Sequence, residues 1–272
     1  MSETKRELAA GGKLLWDEPA EQVVRLTISN PAKRNALDHP ILDAITDALT
    51  ELSEQKSGCV IITGAQGMFS AGYDIGEIPD DEFEERAESL VAHPFAKAID
   101  ALEAFPLPTL AVLPGHTIGG GLELALSCDM RVATAGIKLG MPPAKLGLVY
   151  SHTGLRRFID AIGSARTREL FLLGEYIDAD TALAWGLVNR VAPERELDEL
   201  GLRIARTLAG NAPLSQRGNK RVIAELLRAE SRLSDEVEQE LIDLRKSSFS
   251  SLDIREGMKA FAERRPARWR GE

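Results

Sequence analysis

The segment Pro114-Gly-His-Thr-Ile-Gly-Gly-Gly-Leu-Glu-Leu-Ala-Leu-Ser-Cys-Asp129 constrains this chain more than any other. It follows an apolar run, Thr109–Leu113, that reads as a buried strand, and it becomes apolar-periodic after Gly121, as a helix does. Three consecutive glycines at a helix start let a ligand, or a neighbouring strand, come close to the backbone. The free N–H groups there lie at the positive end of the helix dipole, about half a charge, and suit an anion or a developing oxyanion. Close helix–strand packing uses glycines in the same way, and the segment alone does not choose between the two. It is not a phosphate loop, because no Gly-Lys-Ser/Thr follows.

Two further segments carry polar groups at strand ends. Gly64-Ala-Gln-Gly-Met-Phe-Ser-Ala-Gly-Tyr-Asp-Ile75 follows the short apolar run Val60–Thr63 and reads as an irregular turn with an exposed N–H at Tyr73. Asn30-Pro-Ala-Lys-Arg-Asn-Ala-Leu-Asp38 follows Val23–Ile28, which alternates like a half-buried strand. Its cations Lys33 and Arg34 either meet phosphates or are simply solvated. Asp38 is placed to cap a helix carrying Ile41, Ile45, Leu49 and Leu52. Arg131–Thr134 and Lys138–Met141 read as two more strands.

After Gly154 the period changes to that of helices. These are expected over Leu155–Ile162, Ala165–Leu173, Ala179–Trp185, Glu196–Ala209, Leu214–Arg228, Ser234–Phe249 and Ser251–Arg264. The first 150 residues therefore mix strand and helix, and the last 70 or so are helical.

Composition excludes several classes. The 272 residues are enough for a large core, and 33 basic against 42 acidic side chains leave a formal charge of −9. That argues against nucleic-acid binding, which wants a basic surface. The acidic run Asp80–Glu88 reads as a solvated helix face. Cys59 and Cys128 sit in apolar surroundings and read as buried thiols rather than a disulfide. No apolar run is long enough to span a bilayer, and the first residues contain no apolar signal core, so a cytoplasmic protein is expected. His39, His93 and His116 show no pairing with Cys, Asp or Glu, and no metal site is expected. No Gly-x-Ser-x-Gly nucleophile turn occurs.

In their order and spacing, Asn-Pro-x-Lys-Arg-Asn-Ala-Leu, Phe-Ser-Ala-Gly-x-Asp-Ile and Gly-Gly-Gly-x-Glu-Leu-Ala-x-x-Cys-Asp resemble the enoyl-CoA hydratase/isomerase (crotonase) superfamily. The likeness continues through Pro142–Gly154, Ala182–Val191 and Glu256–Pro266, so it covers about residues 15–270. It implies an α/β fold, a spiral of repeated β-β-α units. A catalytic core over 1–200 would be followed by a helical oligomerisation region over 201–272, in a homotrimer or dimer of trimers. It implies an acyl-CoA thioester as substrate, with no cofactor beyond the coenzyme A that the substrate carries. The N–H groups of Tyr73 and Gly120 would hold the thioester oxygen of an enolate. Lys33, Arg34 and Ala36 would line the coenzyme A entrance, Ala71, Asp74 and Ile75 would lie near the adenine, and Phe261 would close the site.

The same likeness raises a question about the reaction. Hydratases of the family use two glutamates. Glu123 matches the first, but Pro143 stands where the second is expected. Tyr150 matches a tyrosine of methylmalonyl-CoA decarboxylase-type members, which have histidine where this chain has Tyr73. His152 is either an acid or base, or a structural hydrogen-bonding residue. The expected activity is enoyl-CoA hydration or isomerisation, with Glu123 moving the proton. The alternatives are decarboxylation of a malonyl-type ester with Tyr150 in the pocket, and a non-catalytic acyl-CoA-binding subunit.

Overall fold

The structure, a computed structural model, describes residues 6–7, 10–54, 58–74, 94–230 and 233–271. Ile75, His93 and the acidic run Asp80–Glu88 lie outside the described residues.

Seven strands form the main sheet. β1 (Arg6–Glu7), β2 (Leu14–Ala20) and β3 (Val23–Ile28) run antiparallel. From β3 the sheet continues in parallel through β4 (Cys59–Gly64), β5 (Thr109–Leu113), β7 (Met130–Thr134) and β10 (Arg190–Ala192). A smaller sheet joins β6 (Thr117–Ile118), β8 (Lys138–Gly140) and β9 (Ile177–Asp178). Parallel neighbours need crossover helices. These are α1 (His39–Glu54) between β3 and β4, α2 (Ala96–Ala104) before β5, and α3 (Gly120–Leu126) before β7.

The strand period of two divides the core. Val24, Leu26 and Ile28 of β3 and Val60 and Ile62 of β4 face one cluster, with Ile41, Ile45, Leu49 and Leu52 of α1 packed on it. Val23, Cys59, Ile61 and Val112 face the other side, which α7 (Glu194–Ala209) covers with Leu197 and Ala205. There α7 approaches closely: a Cβ on Gly201 would lie 2.8 Å from Val112 Cγ2. Residue 200, the expected end of the catalytic core, falls within this helix. Asp38 caps α1 as expected, accepting the Ile41 N–H at 3.1 Å.

Sequence and structure part company in a few places. β2 does not alternate cleanly, because buried Asp17 sits in it and is matched by Arg25 of β3 at 2.6 Å. The two helices expected over Leu155–Ile162 and Ala165–Leu173 are both present within the span α5 (His152–Arg168), and the second runs on into a wider turn over Glu169–Leu173. Gly163, at φ 76° and ψ 162°, makes the break between them. α5 begins earlier than expected because Ser151 Oγ accepts the Gly154 N–H at 3.1 Å. His152 is therefore a helix residue rather than a loop residue, 3.5 Å from Glu238. The short elements β6, β9, β10 and α4 (Pro143–Leu146) have too few residues to show a period.

After α6 (Ala179–Trp185) and α7 the chain is helical, with α8 (Pro213–Glu230), α9 (Asp235–Ser250) and α10 (Leu252–Ala262). Ser251 Oγ caps α10 by accepting the Ile254 N–H at 3.1 Å. α10 crosses α4 so closely that a Cβ on Gly257 would lie 2.5 Å from the Leu146 carbonyl oxygen. On α9, Ser248 Oγ accepts the N–H of Val149 at 3.1 Å. The C-terminal helices thus fold back over the loop that carries Tyr150. Cys59 and Cys128 are buried free thiols, and burial pushes both up to about 12.

Candidate active site

The parallel strands β4 and β5 both end where a loop must turn, and those two loops meet. Phe69 N–H donates to the His116 carbonyl at 3.2 Å and Ile118 N–H to the Ser70 carbonyl at 3.0 Å. This seam places Gly72 against Gly119 and Gly120. A Cβ on Gly72 would stand 3.0 Å from the Ile118 oxygen and 3.3 Å from the Gly120 nitrogen. Gly72 has φ +97° and Gly119 φ +56°, conformations that favour glycine. Neighbouring donors are used: Gly72 N–H binds Ser70 Oγ at 3.1 Å and Gly119 N–H binds the Gly140 carbonyl at 2.9 Å. Among the described residues nothing accepts from the N–H of Tyr73 or of Gly120, and the second opens α3. The two expected donors are therefore brought together.

Glu123 lies in the first turn of α3 and is 2% exposed. Both carboxylate oxygens are engaged. Tyr150 donates its hydroxyl hydrogen to Oε2 in a short hydrogen bond, and Arg157 Nη1 donates to Oε1 at 3.1 Å. Arg157 in turn holds Glu103 through Nε at 2.5 Å and Nη2 at 3.2 Å. Burial drives the Glu123 carboxyl above the ordinary range, while Arg157 and the Tyr150 hydrogen bond draw it back only in part. Burial alone would lower Arg157, but its hydrogen bonds to Glu103 and the carboxylates around it outweigh that and raise it.

The Tyr73 side chain also belongs to this cluster. Its hydroxyl lies 3.2 Å from that of Tyr150, and its ring lies against Gly120, where a Cβ would come within 2.5 Å of Cε1. Phe95 meets the Tyr73 ring edge-on at 4.8 Å, and Phe171 meets Tyr150 at 5.4 Å. Burial, reinforced by the Glu123 charge, pushes both phenols well above their ordinary value. Arg245, buried on α9, and Arg157 pull Tyr73 the other way.

The expected entrance residues also assemble. Arg34 carbonyl accepts the Ala71 N–H at 3.0 Å, and Asp74 N–H donates to the Leu37 carbonyl at 3.0 Å. Lys33 Nζ reaches Asp74 Oδ2 at 2.9 Å. Ala36 is buried beside them and Arg34 is exposed. Buried Asn35 ties this turn to the next loop, donating to the Ala65 and Met68 carbonyls at 2.9 and 2.7 Å. Phe261 is 66% exposed on α10. Pro143 opens α4 and is buried. Among the described residues no cluster of His, Cys, Asp and Glu could hold a metal ion, and no helix is long and apolar enough to cross a membrane.

Sequence reasoning does not single out Arg157, Glu103 or the Tyr73 side chain. The two charged residues carry no local signal, since they meet Glu123 and each other only in the fold. Tyr73 enters the sequence pattern as a backbone donor, and its side chain only as a departure from the histidine of decarboxylase-type members.

Against this geometry, the enoyl-CoA hydratase/isomerase family pattern matches residues 18–272. The chain belongs to the enoyl-CoA hydratase/isomerase family. It is 36% identical over 249 residues to the probable enoyl-CoA hydratase echA8 of Mycobacterium tuberculosis, covering 91% of this chain and 94% of that one. It is 31% identical over 235 residues to the methylmalonyl-CoA decarboxylase of Escherichia coli, covering 86% and 88%. A methylmalonyl-CoA decarboxylase structure in complex with 2-nitronate-propionyl-CoA superposes with a TM-score of 0.85 at 27% identity, over 96% of this chain and 99% of the other. The expected crotonase fold is therefore the fold of this family member, and acyl-CoA chemistry is its setting.

Proposed function

We propose that this family member decarboxylates a 2-carboxyacyl-CoA thioester of the malonyl type. The observation that carries the reading is the state of Glu123, whose two oxygens are taken by Tyr150 and Arg157, while Pro143 occupies the position expected for a second glutamate. Water addition across a double bond wants a water held between two proton-exchanging groups, and proline exchanges no proton. Decarboxylation asks for less. The bond from the α-carbon to the carboxylate breaks, its electron pair passes into the thioester as an enolate, and carbon dioxide leaves. The α-carbon then takes one proton to give the acyl-CoA. The Tyr73 and Gly120 N–H groups would meet the enolate oxygen, and losing one such donor typically costs about 3 kcal/mol of transition-state stabilisation. The likeness to methylmalonyl-CoA decarboxylase in sequence and structure supports the same reading.

Hydration or isomerisation of an enoyl-CoA is the second reading. It is favoured by the raised pKa of Glu123, which suits a group that both takes and gives a proton, and by the likeness to enoyl-CoA hydratases. The two readings are separated by giving the purified protein methylmalonyl-CoA and crotonyl-CoA side by side. The decarboxylase reading expects carbon dioxide from the first and no loss of the conjugated absorbance of the second. It also expects Glu123→Gln to keep first-turnover carbon dioxide release within about tenfold, since the carbon–carbon bond breaks before any proton is delivered. Robust hydration that Glu123→Gln abolishes would reverse the order. Lys33, Arg34, Ala36, Ala71 and Asp74 are assigned to the coenzyme A portion of the ester, and the assembly to a homotrimer or a dimer of trimers.

A further inference from the structure

Enolate formation leaves the source of the final proton open, and the hydroxyl chain beside Gly120 answers it. Glu123, Tyr150 and Tyr73 form an unbroken line of oxygens, with a short hydrogen bond from Tyr150 to Glu123 and 3.2 Å between the two hydroxyls. Glu123 is 2% and Tyr150 8% exposed, and Tyr73 taken as a whole residue is half-buried. The inner end is closed off by Arg157. The outer end is the phenol whose own N–H is one of the two oxyanion donors and whose ring lies on Gly120, the other. An enolate held by these two donors would bring its α-carbon toward the Tyr73 side chain, whose ring lies on Gly120.

We infer that the side chain of Tyr73 is a catalytic residue, the terminal proton donor of a relay Glu123–Tyr150–Tyr73 that protonates the α-carbon of the enolate. The inference rests on the enolate reading, but not on how the enolate arises. With Glu123 ionised, Tyr150 points its hydrogen at the carboxylate, and Tyr73 can then point its own at Tyr150. With Glu123 protonated the line reverses: Glu123 donates to Tyr150, Tyr150 to Tyr73, and the Tyr73 hydrogen faces the substrate. In the transfer the α-carbon takes the Tyr73 proton, Tyr73 takes that of Tyr150, and Tyr150 takes that of Glu123. Three O–H bonds break, while one C–H and two O–H bonds form, and the negative charge moves from the enolate to Glu123. Water restores the carboxylic proton once product leaves. Neither phenol needs to persist as an anion, which suits groups whose surroundings disfavour ionisation.

The test is exchange of the α-hydrogen of propionyl-CoA in heavy water, followed by NMR, because it runs the protonation step in both directions without any decarboxylation. Wild type is expected to exchange one α-hydrogen stereospecifically. Tyr73→Phe retains the ring on Gly120 and the edge contact with Phe95, and is expected to lose at least about 100-fold in exchange with propionyl-CoA affinity unchanged. Tyr150→Phe cuts the line one step deeper and is expected to lose a similar factor. Exchange by Tyr73→Phe within twofold of wild type overturns the inference. So does loss in Tyr150→Phe alone, which would make Tyr150 the direct donor, and so does absence of exchange in wild type. If wild type releases no carbon dioxide from methylmalonyl-CoA while Tyr73→Phe still abolishes exchange, the decarboxylase reading falls and the relay stands. If wild type releases carbon dioxide while Tyr73→Phe exchanges normally, the decarboxylase reading stands and the relay falls.

Discussion

Arg157 donates to Glu123 across 3.1 Å while its other nitrogens clasp Glu103, with Asp100 3.7 Å away, so one guanidinium is shared by carboxylates of different burial. The shared arrangement tempers Glu123, since burial raises its pKa and Arg157 is the largest influence lowering it. Arg157→Met removes that influence and leaves Tyr150 as the remaining donor. The Glu123 pKa is expected to rise further, so any step needing the carboxylate form loses its acid-side activity at a higher pH than in wild type. The pH profile of α-hydrogen exchange checks this, with the deficit expected to be largest on the acid side and to shrink as pH rises. Glu103→Gln keeps the Arg157–Glu123 bond and is expected to move the profile less. An unshifted acid limb in Arg157→Met would mean that Arg157 does not tune Glu123.

A raised pKa is also a statement about stability. Below the ordinary carboxylate value Glu123 is protonated in both the folded and unfolded states, and it contributes no pH dependence. Between that value and its higher folded value the native state holds the proton that the unfolded chain has released. The native state binding more protons, stability falls as pH rises through this window. Glu123→Gln removes this burden, so it is expected to unfold at a higher temperature than wild type at neutral pH. The gap should close as the pH is taken below the ordinary carboxylate range. A constant gap at all pH values would show that packing, not ionisation, separates the two.

Adjacent glycines are expected to fail in different ways when changed to alanine. At Gly120 the new Cβ meets the Tyr73 ring at 2.5 Å, and a side chain at one edge of the site has to move. The helix itself accepts alanine readily. Gly120→Ala should therefore melt close to wild type yet lose at least about tenfold in turnover, because the Tyr73–Tyr150 contact is displaced. At Gly121 the new Cβ meets Ser70 Cβ at 2.6 Å and the Ser70 carbonyl oxygen at 2.9 Å, so the seam between the two loops has to part. Overpacking of this kind costs about 1–3 kcal/mol. Thermal melts beside turnover measurements distinguish the two, and a destabilised Gly120→Ala would contradict the assignment.

How much of the fold and site is legible in the sequence follows from the range over which each feature is encoded. Tyr73 N–H and Gly120 N–H come from glycine-bearing loops at strand ends, where turn and helix start lie within a few residues of each other. Glu123 follows the glycines directly, and Tyr150 belongs to a matched segment. Arg157 lies 34 residues from Glu123 and 54 from Glu103, and only the packing of α5 on α3 and α2 makes the three neighbours. β2 is hidden for a related reason, since Asp17 breaks its alternation and only the fold supplies Arg25. The Tyr73 side chain is hidden because a backbone donor requires no particular side chain. Nothing in the sequence supplies the 3.2 Å between its hydroxyl and that of Tyr150.

α8 presents an apolar face that is left exposed among the described residues. Val222, Ile223 and Leu226 are 57%, 58% and 63% exposed, and Leu214 near the start of the helix is 84% exposed. Apolar positions three and four apart on one helix form a stripe that usually meets another surface. The homotrimer or dimer of trimers proposed above would supply that surface from further copies of the same chain. Changing Ile223 and Leu226 together to glutamate is then expected to convert the assembly to monomers in sedimentation analysis. The fold should survive, because neither side chain belongs to the core. Phe261 sharpens the expectation, since its side chain is exposed on α10. If it closes the site of a neighbour, the monomeric variant and Phe261→Ala should both bind propionyl-CoA more weakly, and combining the changes should add nothing further. Monomers that bind as tightly as wild type would confine Phe261 to its own chain, and an assembly unchanged by the two glutamates would place the seam elsewhere.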